Sequence, residues 1–471
     1  MVTHKTKRFL KALSVTSLTL GLVLSGLTPL TSANLASAQE VQSANQPVAM
    51  KDGAILHAWC WSFNTIKENM SAIKEAGYTS IQTSPINAVI KGDGGSKDLK
   101  NWYYHYQPTD YTIGNYQLGT EEEFKAMAQE ADKYGINIIV DAVLNHTTSE
   151  IKAVSPKITA IDNWTHGNDK IVNFNDRYQI TQKSLLGLYD FNTQNRAVQE
   201  YMLNYLKRAV ADGADGFRYD AAKHIELPGE YGYGSDFWKV ILNNGAKFQY
   251  GEILQGDACN EAGYGNIMGV TASNYGKLIR KVLGQGYVKD GDLINFQVYG
   301  VSEDKLVTWV ESHDTYANNE EESTKLTDED IKLGWGIIAA RNEGAPLFFS
   351  RPRGGGGQKG RFPGESQIGD AGSDLFKDPT IVAINQFRNR MNGQSEYIRN
   401  PGMDQGLVMI ERGQKGAVIT NLTIVDKDFS STTTLADGDY KDAVTGTVYH
   451  VSNHNITGHL AKKSVAVLLP A

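Results

Sequence analysis

Two cysteines, Cys60 and Cys259, are all that this chain of 471 residues carries. No disulfide framework organises it, and a chain this long can bury a sufficient core without one. Both cysteines fall near the ends of expected strands far apart in strand order, so two free thiols are expected over a bridge. Long apolar runs are also scarce: beyond the N-terminal stretch none could span a bilayer. Basic residues are in deficit, 46 Lys and Arg against 53 Asp and Glu, which argues against a nucleic-acid partner. No internal repeat is present, and Gly354 to Gly357 is the one low-complexity stretch, so a repeat architecture is excluded.

What is present begins with a targeting pattern. Lys5, Lys7, Arg8 and Lys11 precede the apolar run Ala12 to Leu27, and Ala36-Ser37-Ala38 matches a small-residue cleavage site. Residues 1–38 therefore read as a secretory signal peptide, with a retained anchor as the alternative. The mature protein is expected outside the cell, free of the membrane. Losing those four positive charges takes the formal net charge from −7 to −11. Such a surface suits a neutral ligand.

After a leader to residue 52, short apolar strands alternate with amphipathic helices. Strands are expected at Ala54–Trp59, Thr79–Pro85, Ile136–Val143, Gly213–Asp220, Phe248–Ile253, Leu293–Val298, Leu306–Asp314 and Pro346–Ser350. Eight βα units in succession predict an α/β fold, a closed parallel (β/α)₈ TIM barrel. The polar section 147–192 is too long for a connection and reads as a small inserted domain after strand three. The barrel then occupies 39–146 and 193–391. From residue 392 short strands separated by Gly, Asp and Asn predict a C-terminal all-β sandwich to 471.

In such a barrel the site forms at the C-terminal ends of the strands. Asp220 ends strand four, with Arg218 on the same face two residues earlier. A surface ion pair would look the same locally. Glu252 ends strand five and Asp314 strand seven, so three acids converge on one mouth, where mutual repulsion would destabilise without some functional return. Two carboxylates flanking a site is the arrangement of glycoside hydrolysis. Arg218 is expected to hold Asp220 ionised, and the apolar and acidic surroundings of Glu252 to raise its pKa so that it donates a proton. Asn145 and Asp190 are hard oxygen donors; an isolated pair of this kind ordinarily caps loops.

Asp141 to His146, Gly216 to His224, Gly251 to Leu254 and Val310 to Asp314 resemble the four ordered signature regions of the α-amylase family of glycoside hydrolases. Leu185 to Asp190 and Thr79 to Pro85 resemble two further regions, and the similarity is nearest to its secreted saccharifying members of the Bacillus subtilis type. The resemblance implies a retaining mechanism with Asp220 as nucleophile, Glu252 as acid/base and Asp314 as third acid. It implies that Arg218 positions Asp220 and that His146 and His313 bond sugar hydroxyls. Tyr106 would stack under the central sugar, Gln107 would bond to it, and Lys223 and His224 would line the leaving-group side. Tyr103 is either packing or contact. It further implies a Ca²⁺ held by the side chains of Asn145 and Asp190 and the main-chain oxygens of Thr181 and His224. The expected partners are starch and α-1,4-glucan oligosaccharides, the expected state a monomer. A transglycosylase or cyclodextrin-active enzyme, or a non-catalytic starch-binding protein on the same fold, is the alternative.

Overall fold

The computed structural model describes residues 49–471; the expected signal peptide and most of the leader lie outside the described residues. Eight parallel strands close a barrel: β1 (Ile55–Ala58), β2 (Ser80–Thr83), β3 (Asn137–Ala142), β4 (Gly216–Tyr219), β5 (Phe248–Gly251), β6 (Gly269–Thr271), β7 (Leu306–Trp309) and β8 (Ala345–Phe349). Each pairs with its neighbours in sequence, and β8 pairs with β1. The strands are buried along their length apart from a few end residues, as a sheet covered by helices outside and filled within requires.

Local chemistry sets the helices. Glu121–Tyr134 begins at a capping box in which Thr120 and Glu123 exchange hydrogen bonds, and it stops at Gly135 with φ 61°. Its three leading glutamates complement the helix dipole.

Two expectations change. The sixth strand is not Leu293–Val298 but Gly269–Thr271, while Asp290–Ile294 is a short helix. Leu293 and Phe296 are apolar because they pack in the core, where Arg341 lies over the Phe296 ring at 4.2 Å. A three-residue strand is too short to show a period. Strand seven also stops at Trp309; Ser312 then caps a helical turn, His313–Ala317, through a reciprocal bond with Thr315. His313 and Asp314 thus stand on a helix start rather than a strand end.

Two excursions roof the barrel mouth. The connection after β2 holds a 3₁₀ helix, Leu99–Tyr106, and a strand, Pro108–Asn115. The 147–192 segment holds short helices, Pro156–Thr159 and Arg177–Gln182, and a ribbon pairing Thr165–Gly167 with Asp190–Phe191. Backbone bonds from Thr148 and Ser155 to the carbonyls of Pro108 and Thr109 join the two.

Beyond the last barrel helix, Pro379–Arg390, eight antiparallel strands follow: β9 (Glu396–Arg399), β10 (Leu407–Arg412), β11 (Gly416–Asn421), β12 (Lys427–Thr432), β13 (Gly438–Asp442), β14 (Val448–Ser452), β15 (Asn455–Leu460) and β16 (Ser464–Pro470). They form one sheet in the order β9-β10-β11-β16-β13-β14-β15-β12, folded so that its edges meet where Arg399 Nη1 donates to Thr432 Oγ1 at 2.8 Å. Alternation divides β10: Leu407 and Met409 face the sheet's own core, Val408 and Ile410 the core shared with the barrel. Four strands escaped the sequence reading, among them β12, which buries only alternate residues at its centre.

Candidate active site

One guanidinium organises the barrel mouth. Pairing of β3 with β4 sets Asp141 opposite Arg218, and Arg218 Nη1 reaches Asp141 Oδ1 at 2.8 Å and Asp220 Oδ1 at 2.7 Å. Its Nη2 lies 3.1 Å from Glu252 Oε2. Glu252 is brought there because β5 continues its ladder, its N–H donating to the Tyr219 carbonyl. Gly251 before it is required by close approach: a Cβ there would stand 2.8 Å from the Ala222 Cβ. Ala221, just after Asp220, takes φ 48°, an uncommon conformation for a residue with a side chain, and its N–H donates to Glu252 Oε2 at 2.8 Å. The turn after β4 therefore ties both acids together.

Asp314 completes the set, its Oδ1 accepting from Asn318 Nδ2 at 3.1 Å and its Oδ2 3.5 Å from His313 Nε2. The His313 ring stacks on Tyr106 with centroids 5.1 Å apart and planes 4° from parallel. Tyr106 donates its hydroxyl to Asp141 at 2.9 Å, and its carbonyl lies 3.1 Å from His146 Nε2. Burial holds His146 near a pKa of about 4, so it is neutral.

Three carboxyls share the Arg218 guanidinium, and Asp314 stands near them. Burial pushes Asp220 well above the ordinary carboxylate range despite Arg218, with repulsion from Glu252, Asp141 and Asp314 adding to the rise. Asp314 is raised to about 7 by burial and by Glu252. Burial would raise Glu252 too, yet Arg218 and the Ala221 N–H outweigh it and hold this carboxyl below its usual value. These directions run against the expectation from sequence that Asp220 is the ionised acid and Glu252 the protonated one. The cause is geometric: Nη1 is divided between Asp141 and Asp220, while Nη2 serves Glu252, which also takes a backbone donor.

The raised Asp314 carries a stability consequence. The folded state keeps a proton that the unfolded chain releases from about pH 4, so this acid costs nothing below that pH and destabilises increasingly up to about 7. Asp314→Asn is expected to melt above the parent at pH 8, with the gap closing toward pH 4. The effect is softened by the 37% of its side chain open to the cleft. An equal gap at both pH values would contradict it.

A cleft of about 700 Å³ runs over these acids, bordered by Tyr103, Tyr106, Gln107, His146, Leu186 and Phe362 among others. Tyr103, which the sequence left open, stands on its rim with 42% of its surface exposed. Gln107 accepts from Thr148 Oγ1 at 2.9 Å. Lys223 and His224 border neither this cleft nor the adjoining cavity: Lys223 Nζ lies 2.9 Å from Asp257 Oδ2, and His224 Nδ1 lies 3.0 Å from the Ile180 carbonyl. Asp141 and Asn318 were missed as site residues. Asp141 had a signal, an acid in a β-branched strand, whose meaning depends on which strand lies alongside.

The four expected calcium residues lie on elements that meet. The Asn145 carbonyl accepts from the Phe191 N–H, next to Asp190, and Thr181, whose carbonyl accepts from Gln182 Nε2 at 2.8 Å, lies in the last turn of the helix that packs on the turn containing His224. Asp190 Oδ2 is 2.8 Å from His166 Nδ1, whereas its Oδ1 is buried with no partner among the described residues. Burial raises this carboxyl to about 7. A buried, half-satisfied carboxylate is the group a hard cation would complete. Among the described residues no cluster of three or more His, Cys, Asp or Glu is placed for a metal, so such an ion would depend on amide and carbonyl oxygens, which calcium accepts. The residues fit the ion. Cys60 and Cys259 are both unbridged.

Comparisons agree with this architecture. The model of the α-amylase catalytic domain matches residues 61–247. An α-amylase of Butyrivibrio fibrisolvens is 42% identical over 466 residues, covering 89% of this chain and 47% of that one. One from Clostridium acetobutylicum is 38% identical over 438 residues, covering 90% and 54%. The chain spans about half the length of these curated relatives. Among solved structures, wild-type α-amylase I from Eisenia fetida superposes with a TM-score of 0.75 at 20% identity, covering 88% of this chain and 97% of that one. An Anoxybacillus α-amylase gives 0.69 at 19%, covering 90% and 99%. With a closed barrel, its acids gathered at the strand mouths and these relatives, the chain belongs to the α-amylase family of glycoside hydrolases.

Proposed function

We propose that the protein is a secreted, endo-acting α-amylase that hydrolyses internal α-1,4-glucosidic bonds of starch with retention of configuration. The observation that carries this is Arg218 spanning Asp220 and Glu252 beneath an open cleft walled by Tyr103 and Tyr106. Two acids gripped by one guanidinium favour the close spacing of retaining enzymes, about 5–5.5 Å, over the wider inverting one. Aromatic rims suit sugar rings, which present apolar C–H faces. A cleft bordered by exposed residues such as Tyr103 and Leu186 has room for a glucan chain. A mutant of the Eisenia fetida enzyme has been solved with maltohexaose, which supports an α-1,4-glucan substrate here.

In the first step Asp220 attacks the anomeric carbon while Glu252 protonates the departing oxygen. In the empty site burial pushes Asp220 up while Arg218 and the Ala221 N–H pull Glu252 down, the opposite of what this step needs. Positive charge developing at the anomeric carbon beside Asp220 favours its ionised form, and the shared proton then belongs on Glu252. Asp314, with His146 and His313, holds sugar hydroxyls so that the ring is distorted toward its transition state. Calcium would be held by Asn145 and Asp190 side chains and the Thr181 and His224 carbonyls, supplying positive charge that pins the 147–192 segment to the barrel. Lys223 reaches the leaving group only if a bound chain draws it from Asp257, while His224 is held buried against the Ile180 carbonyl.

A time course of products from soluble starch with anomer detection tests bond type, endo action and retention together. Mixed long oligosaccharides appearing first as α-anomers are expected; β-anomers or single-sugar release would overturn the reading. Excess EDTA is expected to lower the melting temperature and activity together. An unchanged melting curve would count against calcium. N-terminal sequencing of protein from the culture medium should begin at Gln39.

A further inference from the structure

A second cavity, of about 420 Å³, opens off the cleft. It shares Glu252, His313, Asp314 and Asn318 with the cleft and leads outward between the loops after β5, β6 and β7. Its wall includes several polar side chains. Gln255, Asn274, Lys277, Thr315 and Glu320 supply amides, a hydroxyl and charges. Leu254, Tyr250 and Trp309 line it too, but the two aromatic rings are buried and present no exposed plate to a sugar ring. His57 and Trp309 also line it, and His57 Nε2 and Trp309 Nε1 are buried with no partner among the described residues. Buried groups of this kind are ordinarily completed by ordered water. The cavity far exceeds the roughly 30 Å³ that one water occupies in the liquid. One cavity thus runs from exposed polar side chains, Asn274, Lys277 and Glu320, to the acids, a route along which water reaches Glu252.

We propose that this side channel delivers the hydrolytic water to the glycosyl-enzyme while glucan fills the main cleft. The inference rests on the retaining reading, because only a covalent intermediate must await a water. In the step it serves, the water oxygen bonds to the anomeric carbon as the carbon–oxygen bond to Asp220 breaks. The bonding pair returns to the Asp220 carboxylate, and the water proton passes to Glu252. Glu252 stands where cleft and channel join, so a water arriving by the channel meets its base before it meets the sugar. The channel therefore sets how often the intermediate is captured by water rather than by the hydroxyl of another glucan, which can enter only along the cleft.

Asn274→Trp and Lys277→Trp, at two exposed wall positions, would each narrow the outlet without touching an acid. With maltopentaose as the probe, the ratio of transfer products to hydrolysis products is expected to rise by about threefold or more. The rate of first bond cleavage, read as the initial burst from an aryl maltotrioside, should stay within about twofold of the parent. Melting curves confirm that both variants fold, and the two positions provide independent attempts at the same plug. An unchanged product ratio in both variants overturns the channel. So does a rise in KM for long glucans with the ratio unmoved, which would make the groove a sugar subsite. Anomer detection on the same samples separates the two ideas: inverted products would sink the retaining reading itself, whereas retained α-anomers with an unmoved ratio would sink only the channel.

Discussion

Glu252→Gln is expected to slow glucan cleavage by about 10³–10⁴-fold while leaving the melting temperature near that of the parent. The amide keeps the shape of the side chain and can still face Arg218, but it can neither donate a proton to the departing oxygen nor take one from water. Both half-reactions lose their acid/base, so kcat should fall far more than KM rises. An aryl glycoside with a good leaving group needs little protonation in the first step, and its first turnover should be spared relative to starch. The Gln variant should therefore accumulate the glycosyl-enzyme on such a substrate, visible as an added sugar mass on the intact protein. Normal starch hydrolysis by this variant would refute the mechanism. Equal losses on starch and on the activated substrate would move Glu252 out of the acid role.

Arg218→Leu is expected to be the most destabilising single change at the barrel mouth. It removes the guanidinium that reaches Asp141, Asp220 and Glu252 and leaves three acids buried or nearly so. Breaking a buried pair from one side typically costs about 3–5 kcal/mol. The loss should depend on pH in a defined direction. Without the guanidinium these acids titrate higher in the folded state than in the unfolded chain, so the folded protein binds more protons and stability falls as pH rises from about 4. Chemical denaturation at pH 5 and pH 8 reads this directly, with the larger deficit expected at pH 8. Arg218→Lys restores a charge but not the fork that reaches three carboxyls, so it should recover part of the stability and little of the activity. Identical deficits for Leu at both pH values would show that Arg218 acts by packing alone.

These expectations depend on features of different legibility. The succession of βα units, the acids at strand ends, the polar insertion and the β-rich tail are local or periodic, and the sequence alone determines them. Period two and period 3.6 are written in the order of apolar residues, and capping signals such as Thr120 with Glu123 need only their own segment. The sixth strand was misplaced because Gly269–Thr271 spans too few residues to express a period, while Leu293 and Phe296 are apolar for packing.

The site divides along the same line. Asp220, Glu252 and Asp314 could be named from position in the chain, because a barrel sends every strand end to one mouth. Their protonation could not. Arg218 sits two residues from Asp220 in sequence, and its proximity there suggested an exclusive pair. Only the closed barrel brings Asp141 from β3 and Glu252 from β5 against the same guanidinium, and the Ala221 N–H against Glu252. Charge interactions depend on distance in space and on burial, neither of which is carried by neighbourhood along the chain. The side channel is likewise a property of three loops at once. Sequence alone thus named the acids of the site; in which direction each carboxyl is pushed, and what cavity adjoins them, was decided by the tertiary structure.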